Sequence, residues 1–314
     1  MDNRLITCTN EDGISLYFGV SFSPFILESV DGIYSIKNKV STVENTMIDG
    51  STYQGSVAEM RNIVLYLRDK DSHKFNRELL YRCFKIDSKG QLKYTEDGTA
   101  KIIDYYVESI SVTGDSESRR ATISLLCPDP FFYDERAINV YLAEWNPSFK
   151  FIHEFKAIKE EIGYRSLVKI QNIVNETATD DIGITIQITA KGTVKNPKII
   201  HVESNKVISI GSEGKPLVMS AGDVVTISTV TGNKHVYLLS GGVQTEINHY
   251  LTESSEYFQL LRGNNHIGYD ADGGLDNISI QITYRLKYSG VTYYNKSSKN
   301  LKLSSLHDKK NQFS

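Results

Sequence analysis

Residues 124–136 read SLLCPDPFFYDER, and the way this stretch breaks its own pattern divides the chain. A strand runs up to Leu126 and then meets Pro128 and Pro130, which have no N–H to give to a sheet ladder, so it ends there or reaches a sheet edge. Phe131, Phe132 and Tyr133 follow at once and need cover, before Asp134, Glu135 and Arg136 turn the chain to charge. Such a cluster is either a hydrophobic plug at the end of one domain or a docking knob for something else, and the plug is the more ordinary of the two.

Upstream, RNIVLYLRD (61–69) alternates apolar and polar, with Ile63, Leu65 and Leu67 on one side, as a half-buried strand does. The period then changes: in SHKFNRELLYRCFK (72–85), Ser72 is placed to cap, and Phe75, Leu79, Leu80 and Cys83 recur at helical spacing. This is the one convincing helix. KIIDYYVESISV (101–112) and RRATISLLC (119–127), separated by TGDSES, read as a hairpin with a longer loop.

Downstream of Asp134, residues 135–165 are mixed, hold the single tryptophan, Trp145, and a Lys/Glu-rich stretch, KAIKEE, and read as a connector with some local structure. From residue 166 onward come short β-branched runs punctuated by Gly, Asn, Asp or Pro: LVKIQNI, GITIQITA, PKIIHV, KVISI, DVVTIST, HVYLLS, EYFQLL and ISIQITYRLKY. Short strands at this spacing predict a β-sandwich of the jelly-roll kind. Past Val291 the composition shifts to five lysines and little to bury, which by itself makes residues 292–314 a mobile extension.

At 314 residues, with 40% hydrophobic and 23% charged positions, the chain has the size and composition for two globular domains. No apolar run approaches the roughly 18 residues of a bilayer span, and MDNRLITCTNEDG lacks the apolar core of a secretory signal. Synthesis in a cytoplasm without membrane insertion is therefore expected. The balance of 35 basic against 38 acidic residues, formally −3, supplies no bulk attraction to nucleic acid or to an anionic membrane. Cys8, Cys83 and Cys127 are odd in number and far apart, which suggests neither a disulfide framework nor a zinc knuckle; they read as small core residues.

A search for chemistry nominates no catalytic, cofactor or metal residue, so no enzyme is expected. GSEGKP (211–216) would need Gly in place of Ser209 and Ser or Thr in place of Pro216 to be a phosphate loop, and reads as a tight turn. DADGGLD (270–276) gathers Asp270, Asp272 and Asp276, but an EF-hand loop starting there would need Glu where Gln281 stands, so a hairpin turn is expected.

The order of these features resembles one family, the distal tail proteins of long-tailed bacteriophages, often called Dit. The resemblance lies in MIDGSTYQGSVAEMRNIVLYL (47–67), a Gly-containing turn that leads through an Arg into an alternating strand, then RELLYRCF, GQLKY, a strand pair and the CPDPFF boundary. In the second half it lies in GTVKNPKI (192–199), AGDVVTIST (221–229), YFQLLRGNNHI (257–267) and ITYRLKYSGV (282–291). It covers about residues 1–291. The extension after Val291 is not part of the common pattern, and the second domain lacks the long insertion that some members use as an arm for receptor-binding proteins.

The resemblance implies a ring-forming N-terminal β-sandwich with one α-helix (1–134), a connector (135–165), and a galectin-like or carbohydrate-module-like C-terminal sandwich (166–291) on the outside of the ring. It further implies a structural hub in the virion at the distal end of the tail. Six copies would close a ring joining the tail tube protein to tail-tip or tail-associated proteins, with receptor-binding or accessory baseplate proteins as further partners and DNA only as passing cargo. In that setting Pro128, Pro130, Phe131, Phe132 and Tyr133 both plug and stiffen the domain junction; the ring-contact residues are not readable. The alternative is a carbohydrate-binding module or glycan-active protein acting through the C-terminal sandwich.

Overall fold

A computed structural model describes residues 4–44, 49–70, 74–113, 119–147, 163–167, 170–175 and 180–291. The chain packs as two units, the first built from the segment up to Pro130 together with the return at Gly290, the second from Phe131 to Ser289.

Among the described residues the first unit holds strands β1 (Arg4–Asn10), β2 (Ser15–Phe18), β3 (Phe25–Asp31), β4 (Asn38–Glu44), β5 (Ser51–Ala58), β6 (Arg61–Asp69), β7 (Lys89–Glu96), β8 (Thr99–Val112) and β9 (Arg120–Cys127), with one helix, α1 (Lys74–Cys83). Seven strands form a sheet in the order β2-β1-β7-β8-β9-β6-β3, antiparallel throughout. Strands β4 and β5 pair only with each other.

The alternation expected in 61–69 is present in β6, with Ile63, Leu65 and Leu67 fully buried and Asn62 and Arg68 outward. Burying each such side chain contributes about 1.5–3 kcal/mol. The expected hairpin is the β8–β9 pair, with Tyr106 opposite Leu126; most of its turn, 114–118, lies outside the described residues, as does Ser72. Helix α1 covers the core through Leu80 and Cys83, and Phe84 just beyond it stacks on Phe18 at 6.4 Å and tilts against Tyr105 at 6.2 Å. All three cysteines are free and buried in this unit. Burial is the main cause that pushes the Cys83 and Cys127 thiols up to about 12 and Cys8 well above the ordinary thiol range.

The second unit contains β10 (Phe132–Asp134), β11 (Ile138–Pro147), β12 (Gly163–Leu167), β13 (Ile170–Asn175), β14 (Thr185–Ala190), β15 (Val194–His201), β16 (Lys206–Ser209), β17 (Val218–Met219), β18 (Val224–Ser228), β19 (His235–Ser240), β20 (Val243–Glu246), β21 (Gly263–Gly273), β22 (Ile278–Tyr284) and β23 (Lys287–Tyr288). One sheet runs β12-β11-β22-β14-β18-β19-β20 and another β13-β21-β15-β16, with β17 on β15. Ile186, Ile188, Ile280 and Ile282 from the first share one core with Val194, Ile199, Ile208 and Ile267 from the second, which makes the unit a β-sandwich. The protein is thus mainly β with a single α-helix among its described residues.

Three stretches differ from their sequence reading. Ile138–Pro147, expected in a connector, is β11 and pairs along β22, because Ile138 and Val140 continue an alternating run beside Tyr284 and Ile282. Residues 148–162 of that connector and the 292–314 extension lie outside the described residues. EYFQLL (256–261) is not a strand: only Leu260 makes a bridge, to Ile182, while the following GNNHIGYDADG forms β21. The reason is Asn265, buried and bonded to the backbone of Leu261, Gly263 and Ile173, which satisfies the coil with a side chain in place of a ladder. DADGGLD is no hairpin, since β21 and β22 lie in different sheets; Gly274, at φ 71°, turns the chain between them where a Cβ would meet Thr193 O at 1.9 Å. GSEGKP is the tight turn expected, Ser212 and Lys215 exchanging backbone bonds.

Candidate assembly site

The first unit presents a freestanding arm. Strands β4 and β5 pair in register from Asn38 opposite Ala58 to Glu44 opposite Ser51, with Gln54 unpaired in a bulge between Gly55 and Tyr53. The Glu59 N–H closes the base on Lys37 O at 2.8 Å. Nearly every arm position is exposed, and the exposed residues include Val40, Val43, Tyr53 (63%) and Val57 (66%), with Met60 at the base. A two-stranded hairpin of this kind is at best marginally stable alone, and its outer edges carry unpaired N–H and C=O groups ready to receive another strand. A second exposed apolar area lies at the β2 edge, where Tyr17 and Phe22 (72%) meet edge to face at 5.8 Å.

Where the arm rejoins the sheet stands Arg61, the first residue of β6. It occupies an inward position and is only 3% exposed. Its Nε donates to Pro130 O at 2.6 Å and its Nη1 to Gly32 O at 2.7 Å and Ile33 O at 2.9 Å. Burial lowers its pKa somewhat from the ordinary value, with the nearby Cys127 acting in the opposite direction. The guanidinium therefore ties the 32–33 turn to the last residue before the chain leaves this unit. Gly32 makes that approach possible, because at φ 84° a Cβ there would sit 1.9 Å from Asn62 O. The returning chain passes the same turn, a Cβ on Gly290 standing 3.6 Å from Ile33 O and Tyr34 O.

The junction residues are distributed unevenly. Pro128 is exposed and Pro130 buried in the first unit. In the second unit Phe132 is fully buried and pairs with Tyr288, and Tyr133 pairs with Lys287. Phe131 is half-buried under the Lys287 ammonium, 3.7 Å from the ring centroid, and Lys287 also bonds Asp180 at 2.7 Å. The Tyr288 hydroxyl donates to Asp134 at 3.2 Å. The role of Arg61 was missed from sequence, although a signal existed: an arginine in the inward phase of 61, 63, 65 and 67 must find acceptors when buried.

Comparison with known proteins bears on the second unit directly: residues 177–288 match the family model described as "Siphovirus-type tail component, C-terminal domain". Over that range the second unit is similar to the C-terminal domain of siphovirus-type tail components. As a whole the chain is similar in fold to the solved Dit protein of phage SPP1, at TM-score 0.62 and 13% identity, over 90% of this chain and 98% of that one. The baseplate of phage P2 in its activated conformation with calcium contains a chain similar at TM-score 0.49 and 10% identity, over 92% and 99%. No curated protein sequence matches the chain. No helix among its described residues is long and apolar enough to cross a membrane, and no group of three or more His, Cys, Asp or Glu there is placed to hold a metal.

Proposed function

We propose that this chain is a tail component and a structural hub of the virion at the distal end of a phage tail, in which six copies close into a ring. The ring joins the tail tube protein to tail-tip proteins, offers its periphery to receptor-binding or accessory baseplate proteins, and leaves a channel through which DNA passes. The observation that carries the reading is the freestanding arm. A closed ring needs heterologous contacts, in which one patch of each subunit meets a different patch of the next. A hairpin that covers no core of its own and exposes both apolar side chains and strand edges is suited to be one such patch, and the Tyr17–Phe22 area at the β2 edge a second. The fold similarity to SPP1 Dit, a protein described as a paradigm of hub adsorption apparatus in Gram-positive-infecting phages, supports the same reading. A formal charge of −3 suits a channel wall that does not retain DNA.

In this reading the junction residues Pro128, Pro130, Phe131, Phe132 and Tyr133 act as plug and stiffener, with Arg61 holding the Pro130 carbonyl. Negative-stain imaging of the purified chain, alone and mixed with the tail tube protein of the same phage, tests the function. Six-fold rings that stack on the tube are expected; particles without rotational symmetry in both samples would refute it.

A further inference from the structure

The outward face of the first unit's sheet carries a local conflict of charge. Arg68, near the end of β6, stands directly opposite Arg120, at the start of β9, and both side chains are more than half exposed. Like charges placed directly across a strand pair repel and destabilise the sheet. Among the described residues, the carboxylate that answers both is Glu28, with Oε1 3.1 Å from Arg68 Nε and Oε2 3.1 Å from Arg120 Nε. Glu28 is available for this because it is the extra residue of a bulge in β3: Leu27 pairs with Leu67 and Ser29 with Tyr66, which leaves Glu28 without a cross-strand partner. Bulges of this kind re-aim a side chain. Thr113 fixes the backbone of Arg120, its hydroxyl accepting the Arg120 N–H at 3.1 Å and donating to the Arg120 carbonyl at 2.9 Å.

One guanidinium is enough to neutralise Glu28, and an ion pair this exposed contributes little to stability. The second arginine therefore adds repulsion and an unanswered positive charge, which folding alone does not explain. What the arrangement supplies is two guanidiniums held side by side on one carboxylate, each through its Nε. Next to them on the same face, two positions along the strands, Tyr66 stands opposite Thr122, and Ser111 of β8 opposite Thr122 in turn. Guanidinium forks and hydroxyls are the donors that phosphate oxygens accept from. A phosphate has more oxygens than a carboxylate and can take both forks and a hydroxyl at once.

We propose that Arg68 and Arg120 form a binding site for a phosphate group, with Glu28 holding the two guanidiniums together. The proposal stands on the first unit alone and does not depend on ring formation. A phosphorus NMR titration of the full chain tests it, in about 0.15 M chloride to screen non-specific attraction, with inorganic phosphate and dimethyl phosphate as probes. Line broadening by the wild-type chain is expected, with binding weakened about tenfold or more by Arg120→Gln. Glu28→Gln removes the competing carboxylate and should tighten binding. Broadening of both probes assigns the site to a phosphodiester; broadening of inorganic phosphate alone assigns it to the free ion. Should Arg120→Gln not fold, Arg68→Gln takes its place. Absence of broadening with either probe overturns the proposal. So does broadening that the arginine variant leaves unchanged, and so does weaker binding in Glu28→Gln, since the site would then depend on the carboxylate and not on the two cations.

Discussion

A guanidinium buried beside backbone carbonyls cannot be removed without leaving those carbonyls dry. Arg61 serves three of them, at Gly32, Ile33 and Pro130, so Arg61→Ala is expected to destabilise the first unit by on the order of 3 kcal/mol, read by urea denaturation. Arg61→Lys is expected to recover less than half of that, because an ammonium lacks the planar fork that reaches two sides at once. The three thiols yield a second prediction at this scale. Buried and held protonated, they should react with a thiol reagent at neutral pH only when the chain is unfolded, when all three count. Prompt labelling of the native protein would contradict that burial. Glu203 supplies a pH dependence: burial alone raises its pKa, but the His266 ring at 2.5 Å and the His266 N–H at 2.8 Å outweigh it and hold the carboxylate below its ordinary range. A depressed folded pKa contributes stability that is present above the unfolded value and lost as pH falls through the folded one. The thermal midpoint of the second unit should therefore drop on acidification below the ordinary carboxylate range, and Glu203→Gln should flatten part of that slope.

Among elements, the arm and β10 make opposite predictions. Replacing residues 39–57 with a short Gly-Ser turn should abolish self-assembly and leave the denaturation midpoint of the body almost unchanged, since β4 and β5 pair with no strand of the sheet. Phe132→Ala, by contrast, empties a fully buried site and should cost about 3–5 kcal/mol in the same denaturation assay. The difference between these two elements was only half legible in the sequence. The break at Pro128 and the aromatic run showed that something ends there, and periodicity located β6, α1 and the β8–β9 hairpin. The arm left no such trace, because a polar and β-branched mixture such as NKVSTVE (38–44) fits an exposed hairpin as well as a loop, and its meaning comes from what it does not touch. EYFQLL failed for the complementary reason: its apolar residues are buried by a coil whose backbone is satisfied by Asn265, and composition cannot distinguish that from a ladder.

For the whole molecule, two units and a mainly β fold follow from short β-branched runs, one helical period and one proline break. The proposed hub role is supported instead by the family match over residues 177–288, the fold shared with SPP1 Dit and the exposed arm. Sequence alone cannot reach ring contacts, because they depend on which exposed groups face a second copy. Light scattering on the purified chain beside the arm-replaced variant tests this most directly. A chain of 35.4 kDa that closes six-fold should give about 212 kDa, and the variant should run as a monomer. Equal monomer masses for both proteins, unchanged when tail tube protein is added, would contradict the ring.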